Sequence, residues 1–423
     1  MFAIEQPFTG RQFPEFNFPA QIQEIADRMN LDPTRIPPYT LPPLPFQEDC
    51  PAAEFANRIR PFLVSQCRDL MYGEIPPRCE ELLFRQTAEG MAFNGLAIRR
   101  EIDIICRHRN QELVIHLLLY IPKNHGKNKC PAFLGLNFKG NHATTHDPGV
   151  TFHPFNRYPD LELANLKDTR ATEEQRGLQA GRFEFEKVLQ AGYASATACY
   201  YELCPDRPSA VGDGMYRLFY TPGQWNSPLR PFGAISAWAW GMERAIDCLE
   251  SQPEIDATRI ILHGHSRLGK TALWTAANDL RIAMVISNGA GCCGAKLAHR
   301  YYGENFEWMN LWNSHWYRAD FQRFSKHDLE YPIDQHFLLA ALAPRPVLLA
   351  DAFEDIYADP IGEFESCRAA SMAWRLFGGK GLGNASFPSP GQLVGDEIGF
   401  YMREGPHDMT PDVWDAILTF AKQ

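Results

Sequence analysis

Apolar positions along the chain follow two rhythms. Over 83–104 and again over 112–120, apolar and polar residues alternate, which predicts antiparallel strands; Val114-Ile115-His116-Leu117-Leu118-Leu119-Tyr120 is the clearest run. Short continuous apolar runs at 131–138, 193–201, 260–262, 282–287 and 347–350 read as strands buried on both faces. Helical spacing marks 53–71, 183–191, 233–250, 270–277, 361–377 and 411–421; in 233–250 the apolar positions include Ala234, Ile235, Ala237, Trp238, Ala245, Ile246 and Leu249. Short buried strands alternating with helices predict a mainly parallel sheet covered on both faces, a three-layer α/β sandwich.

Two stretches fall outside that pattern. Residues 1–45 are rich in proline and aromatics and read as an extended arm laid over one domain spanning 46–423. The polar, weakly patterned stretch 146–181 reads as a long surface excursion. The glycine-rich run 288–294 is not a phosphate loop, because no Gly-Lys-Ser/Thr closes it.

Charge and cysteine usage narrow the classes. A formal charge of -10 and a sequence pI near 5.7 argue against a general nucleic-acid binder, which needs a basic face. No run approaches the roughly 18 apolar residues of a membrane span. The opening Met1-Phe2-Ala3-Ile4-Glu5-Gln6-Pro7 lacks the basic and apolar regions of a signal peptide. The 11 cysteines cannot all pair within one chain, and no C-x-x-C occurs, so they read as mostly reduced, buried thiols with no zinc site.

The candidate chemistry centres on Gly264-His265-Ser266-Arg267-Leu268-Gly269-Lys270, between the end of a buried strand and a helix. A serine on a sharp strand-to-helix turn is lifted off the sheet, and the helix N-terminus beneath it favours developing negative charge. The usual G-x-S-x-G spacing is altered, because Leu268 stands at +2 and Gly269 at +3. A serine nucleophile needs a base, and the base an orienting acid, in the chain order Ser, Asp/Glu, His. Of the histidines after Ser266, His407 alone follows the last predicted strand, on a loop before the final helix. The acid belongs just after the strand 347–350, where Asp351, Glu354, Asp355 and Asp359 lie; loop length favours Glu354 or Asp355. The backbone N–H of Arg267 is the expected oxyanion donor, and its guanidinium could add a charged one. Lys270, one turn along the helix, faces the same side as Ser266.

These residues resemble the G-C/H-S-R-x-G-K elbow of the glucuronoyl esterases, carbohydrate esterase family 15. Stretches 134–142, 233–241 and 333–336 are similar to ones in its bacterial branch. So are Asp355-Ile356-Tyr357-Ala358-Asp359-Pro360 and Gly405-Pro406-His407-Asp408 with Asp412-Val413-Trp414. The resemblance implies an α/β-hydrolase fold and cleavage of the ester joining 4-O-methyl-glucuronic acid on xylan to lignin alcohols. It implies Ser266 as nucleophile, His407 as base and Lys270 as a ligand of the sugar hydroxyls. Glu304 falls where bacterial members place a sugar-binding glutamate, and Tyr357 stands where the family has a tryptophan against the sugar. The fungal position of the acid falls in 288–291, which has no carboxylate; many bacterial members use the aspartate that is Asp355 here. A fungal disulfide falls at His265 and Asp408, so a hydrogen-bonded or ionic pair is expected in its place.

On this reading the protein is a monomeric serine esterase acting on a glucuronate ester of glucuronoxylan and lignin. It needs no cofactor or metal and binds neither nucleic acid nor membrane. The rival readings are an acetyl xylan esterase or general carboxylesterase, and a non-catalytic carbohydrate-binding module on a hydrolase scaffold. The resemblance implies export, whereas a complete chain without a leader implies the cytoplasm.

Overall fold

The structure is a computed structural model that describes residues 28–125, 128–154, 171–207, 213–221, 224 and 230–422. Ten strands form one sheet: β1 (Glu81–Ala92), β2 (Ala97–His108), β3 (Gln111–Pro122), β4 (Cys130–Asn137), β5 (Ala194–Cys199), β6 (Ile255–His265), β7 (Ile282–Asn288), β8 (Val347–Ala352), β9 (Gln392–Gly395) and β10 (Ile398–Arg403). Their order is β1-β2-β3-β5-β4-β6-β7-β8-β10-β9. The block from β5 to β10 is parallel, and antiparallel strands flank it on both sides. The predicted strand stretch 83–104 is a hairpin of β1 and β2, turned at Phe93, Asn94 and Gly95, all with positive φ.

Alternation along the parallel strands sends side chains to opposite faces. On one face Leu134, Leu262, Val285 and Leu349 join a cluster with Trp238 and Trp274. These belong to α2 (Ala234–Glu250) and α3 (Arg267–Asn278), preceded in the chain by α1 (Phe185–Gln190). On the other face Phe133, Ile261, Ile286 and Leu348 pack with Val188 of α1 and with Val413, Trp414 and Ile417 of the final helix. Later helices along the chain include α4 (Phe306–Asn313), α5 (His336–Ala340), α6 (Pro360–Ala370) and α7 (Pro411–Phe420), and the predicted 53–71 stretch contains the helix Arg60–Cys67.

Three local departures from the pattern matter for the site. The helix expected over 361–377 is interrupted at Ser371, between α6 and a short helical turn at Met372–Arg375. There the Ser371 hydroxyl donates to the Cys367 carbonyl at 2.8 Å and accepts the Leu382 N–H at 3.0 Å. Strand β10 lies outside the predicted elements; it pairs in parallel with β8 and sets Arg403 opposite Ala352, just before the loop that carries His407. The stretch 146–181 is only partly a surface excursion. Arg176 donates to the carbonyls of Asp147 at 2.8 Å and Val150 at 3.0 Å, and Val150, Ala171 and Gln179 are buried; residues 155–170 lie outside the described ones.

Residues 1–27 of the predicted arm also lie outside the described residues. Its later part packs on the body: Asn30 bridges Gly303, and the Pro42 carbonyl lies 3.0 Å from His336 Nε2. All eleven cysteines are unpaired, and ten of them are buried. Among the described residues no helix is long and apolar enough to cross a membrane.

Candidate active site

Strand β6 ends at His265, and α3 begins at Arg267, so Ser266 makes the whole turn between them. Its backbone is held at φ 57, ψ -127, a conformation that costs about 1–3 kcal/mol for a side-chain-bearing residue and clusters at functional sites. Two contacts hold it there: the Ser266 N–H donates to the Asn288 carbonyl at 2.8 Å, and its carbonyl accepts from Gly269 at 2.8 Å. Gly264 is required for the tight turn, because a Cβ there would lie 2.1 Å from the Leu268 carbonyl oxygen.

The base and acid positions converge from β8 and β10. Nδ1 of His407 donates to Asp355 Oδ2 in a short hydrogen bond. Asp355 is 6% exposed, and its carboxylate, not that of Glu354, meets the imidazole. Burial works against the charged imidazole, but the Asp355 carboxylate outweighs it and raises the His407 pKa. Gly289 lies directly beside the pair: with φ +57, a Cβ there would stand 3.1 Å from the His407 ring. Gly289 also follows Asn288, whose carbonyl holds Ser266, so the β7 end joins all three positions.

His265 contributes a second ring. Its centroid lies 4.5 Å from that of His407, and its Nδ1 donates to Asn288 Oδ1 at 2.6 Å, while Asn288 Nδ2 donates to the Ala350 carbonyl at 2.9 Å. Burial keeps His265 well below the usual histidine range. The expected His265–Asp408 pair is therefore absent, because Asn288 takes the His265 N–H and Asp408 pairs with Arg182 at 2.7 Å. Arg403 completes the His407 loop by donating to the carbonyls of Glu404, Pro406 and Asp408.

The Arg267 guanidinium does not face open solvent. It pairs with buried Asp206 and lies 4.9 Å from the Trp316 ring centroid. Asp206 also accepts from His315 Nε2 at 2.7 Å, Trp316 Nε1 at 2.6 Å and the Tyr200 hydroxyl at 3.0 Å. Burial alone would raise its pKa, but Arg267, His315 and Trp316 bring it well below the usual carboxylate range. Sequence reasoning missed Asp206 and Arg182, since neither sits in a motif and both act from distant segments.

Lys270 is 3% exposed; its Nζ donates to the Ala290 carbonyl and lies 5.7 Å from the Trp316 centroid. Glu304 is half-buried over Gly291, and its N–H donates to the Tyr357 carbonyl at 2.9 Å. Burial raises the Glu304 pKa, partly offset by Lys270. Tyr357 is half-buried. Among the described residues no group of three or more His, Cys, Asp or Glu has a metal-holding arrangement.

The fold and this site define an α/β-hydrolase of the serine-nucleophile class. A family model described as "Glucuronyl esterase, fungi" matches residues 205–378. A carbohydrate esterase, MZ0003, from an unknown prokaryotic organism is 36% identical over 396 residues, covering 93% of this chain and 91% of its own. A glucuronoyl esterase structure from Solibacter usitatus superposes with a TM-score of 0.85 at 35% identity, covering 92% of this chain and 99% of its own. A structure described as a promiscuous CE15 esterase from a marine bacterial metagenome gives 0.84 at 35% identity, with 93% and 99% covered. The chain belongs to carbohydrate esterase family 15, the glucuronoyl esterases, and is a carboxylic ester hydrolase.

Proposed function

We propose that the enzyme hydrolyses the ester between (4-O-methyl-)glucuronic acid of xylan and lignin alcohols, with Ser266 as nucleophile, His407 as base and Asp355 as the orienting acid. The observation that carries this assignment is the Asp355–His407 hydrogen bond set against Gly289, one residue from the carbonyl that holds Ser266. His407 takes the Ser266 proton as the hydroxyl attacks the C6 carbonyl of the uronate. Asp355 holds the Nδ1–H tautomer and balances the imidazolium that forms. The backbone N–H of Arg267 meets the oxyanion at the start of α3, a donor whose loss commonly costs about 3 kcal/mol in the barrier. The Asp206 ion pair fixes its guanidinium at the rim of the same site. The alcohol leaves with the proton from His407, and water then releases the glucuronate by the reverse sequence.

Lys270, Glu304 and Tyr357 form the sugar side; Lys270 and Glu304 meet on the 288–294 loop, and the Tyr357 carbonyl accepts the Glu304 N–H, which supports that reading. Ser266→Ala tests the assignment. The variant is expected to fold and to lose turnover of benzyl glucuronate; retained turnover refutes it. A broader carboxylesterase is the second reading, favoured by the relative described as promiscuous. Comparable turnover of 4-nitrophenyl acetate and benzyl glucuronate would establish it.

A further inference from the structure

Beneath the site lie two carboxyl groups that the reaction above does not use. Asp351 is near the end of β8 and Glu363 is in the first turn of α6. Both are fully buried. The two groups lie within hydrogen-bonding reach of each other. As carboxylates, neither Asp351 oxygen has a hydrogen-bond partner, and neither does Glu363 Oε2. Two adjacent anions with three of their four oxygens lacking a donor are not tolerated in an apolar interior, whereas one proton between them makes a strong O–H···O⁻ bond.

The other Glu363 oxygen reaches the site. Oε1 accepts the Gly291 N–H at 2.5 Å, from below the glycine-rich loop. That loop places Gly289 against the His407 ring, Gly291 against the Glu304 carboxylate and the Ala290 carbonyl on Lys270 Nζ. A change of charge on the pair therefore has a direct route to the base and to the sugar side.

We propose that Asp351 and Glu363 are positioning residues that share one buried proton and so hold the 288–294 loop in its working conformation. The proposal rests on the reading of Ser266 and His407 given above. The groups facing the pair are Asp355 and His407 from the loops after β8 and β10, Asp359 at the start of α6, Lys270 from α3 and the Cys367 thiol one turn along α6. Burial raises both carboxyls, that of Asp351 with help from the Asp355 charge and that of Glu363 with help from Asp351, while His407 acts the other way on Asp351 and Lys270 on Glu363. Loss of the shared proton at alkaline pH leaves two facing anions, which push Glu363 and its loop out of place.

Two measurements on the full-length protein test this. Infrared difference spectra of wild type against Asp351→Asn and Glu363→Gln, at neutral pH, should show a protonated-carboxyl band in wild type that both variants lack. Either amide keeps a hydrogen bond in the pair and cannot lose its proton. The second readout is the rate at which a fluorophosphonate labels Ser266 as pH rises. Between neutral pH and one unit above the pH at which the wild-type infrared band is half lost, wild type should slow about ten-fold through the pair, and both variants should escape that loss. A wild type without the band overturns the shared proton. A band with identical alkaline profiles in all three proteins reduces the pair to a structural role and overturns the positioning. No labelling of wild type at any pH would instead sink the nucleophile assignment and the positioning with it, while the infrared band still decides the proton.

Discussion

Arg182 and Asp408 meet at 2.7 Å, joining the end of the 171–182 segment to the residue that follows His407. The Arg182 guanidinium also lies 5.6 Å from the Phe138 ring centroid, which sets its direction. The loop bearing the proposed base is thus tied from outside by Arg182 and from inside by Arg403.

Both members of the outer pair are partly exposed, so their removal should scarcely alter stability, by about 0–1 kcal/mol. Turnover should respond more, because the His407 loop loses its outer tie. Arg182→Ala and Asp408→Ala are expected to lower kcat by a similar factor, with the double variant no worse than either alone. Additive losses in a double-mutant cycle would show that the pair does not act as a unit.

Asp206 should behave differently. Removing one partner of a buried ion pair leaves the other uncompensated, so Asp206→Ala is expected to cost about 3–5 kcal/mol by denaturant unfolding. Its pKa is lowered in the folded state, so its stabilisation is present above the ordinary value of 3.8 and is lost as pH falls below it. The denaturant midpoint of the variant should accordingly depend less on pH in that range.

His407 must be neutral to accept a proton, and its pKa is raised by Asp355. Activity should therefore rise with pH along a limb centred above 6.5. Asp355→Asn removes the charge and the tautomer control together. It should move that limb to lower pH and reduce kcat by roughly 10³–10⁴-fold. An unmoved limb in this variant would assign the titration to another group.

Lys270→Met keeps the buried methylene stem and deletes the charge. If the ammonium meets the sugar, kcat/KM for benzyl glucuronate should fall by about 2 kcal/mol, roughly 30-fold. Turnover of 4-nitrophenyl acetate should change little. Equal losses on both substrates would mean that Lys270 serves the loop through the Ala290 carbonyl instead of the substrate.

The layered α/β architecture and the turn at Ser266 were legible in the chain, because both are local. Runs such as 282–287 and 347–350 are apolar on both faces, which only a covered parallel strand explains, and a serine between a buried strand and a helix carries its geometry with it. His407 was legible through chain order alone. Strand β10 was not, since Gly399 interrupts its apolar run and its partner β8 lies some fifty residues earlier. The same limit separates Asp355 from Glu354. The two are neighbours in one acidic loop with similar intrinsic chemistry, and the direction of the backbone after β8 alone puts one carboxylate on the imidazole. Asp206, Arg182 and the Asp351–Glu363 pair are further cases: their meaning comes from long-range burial and from partners that no spacing rule connects.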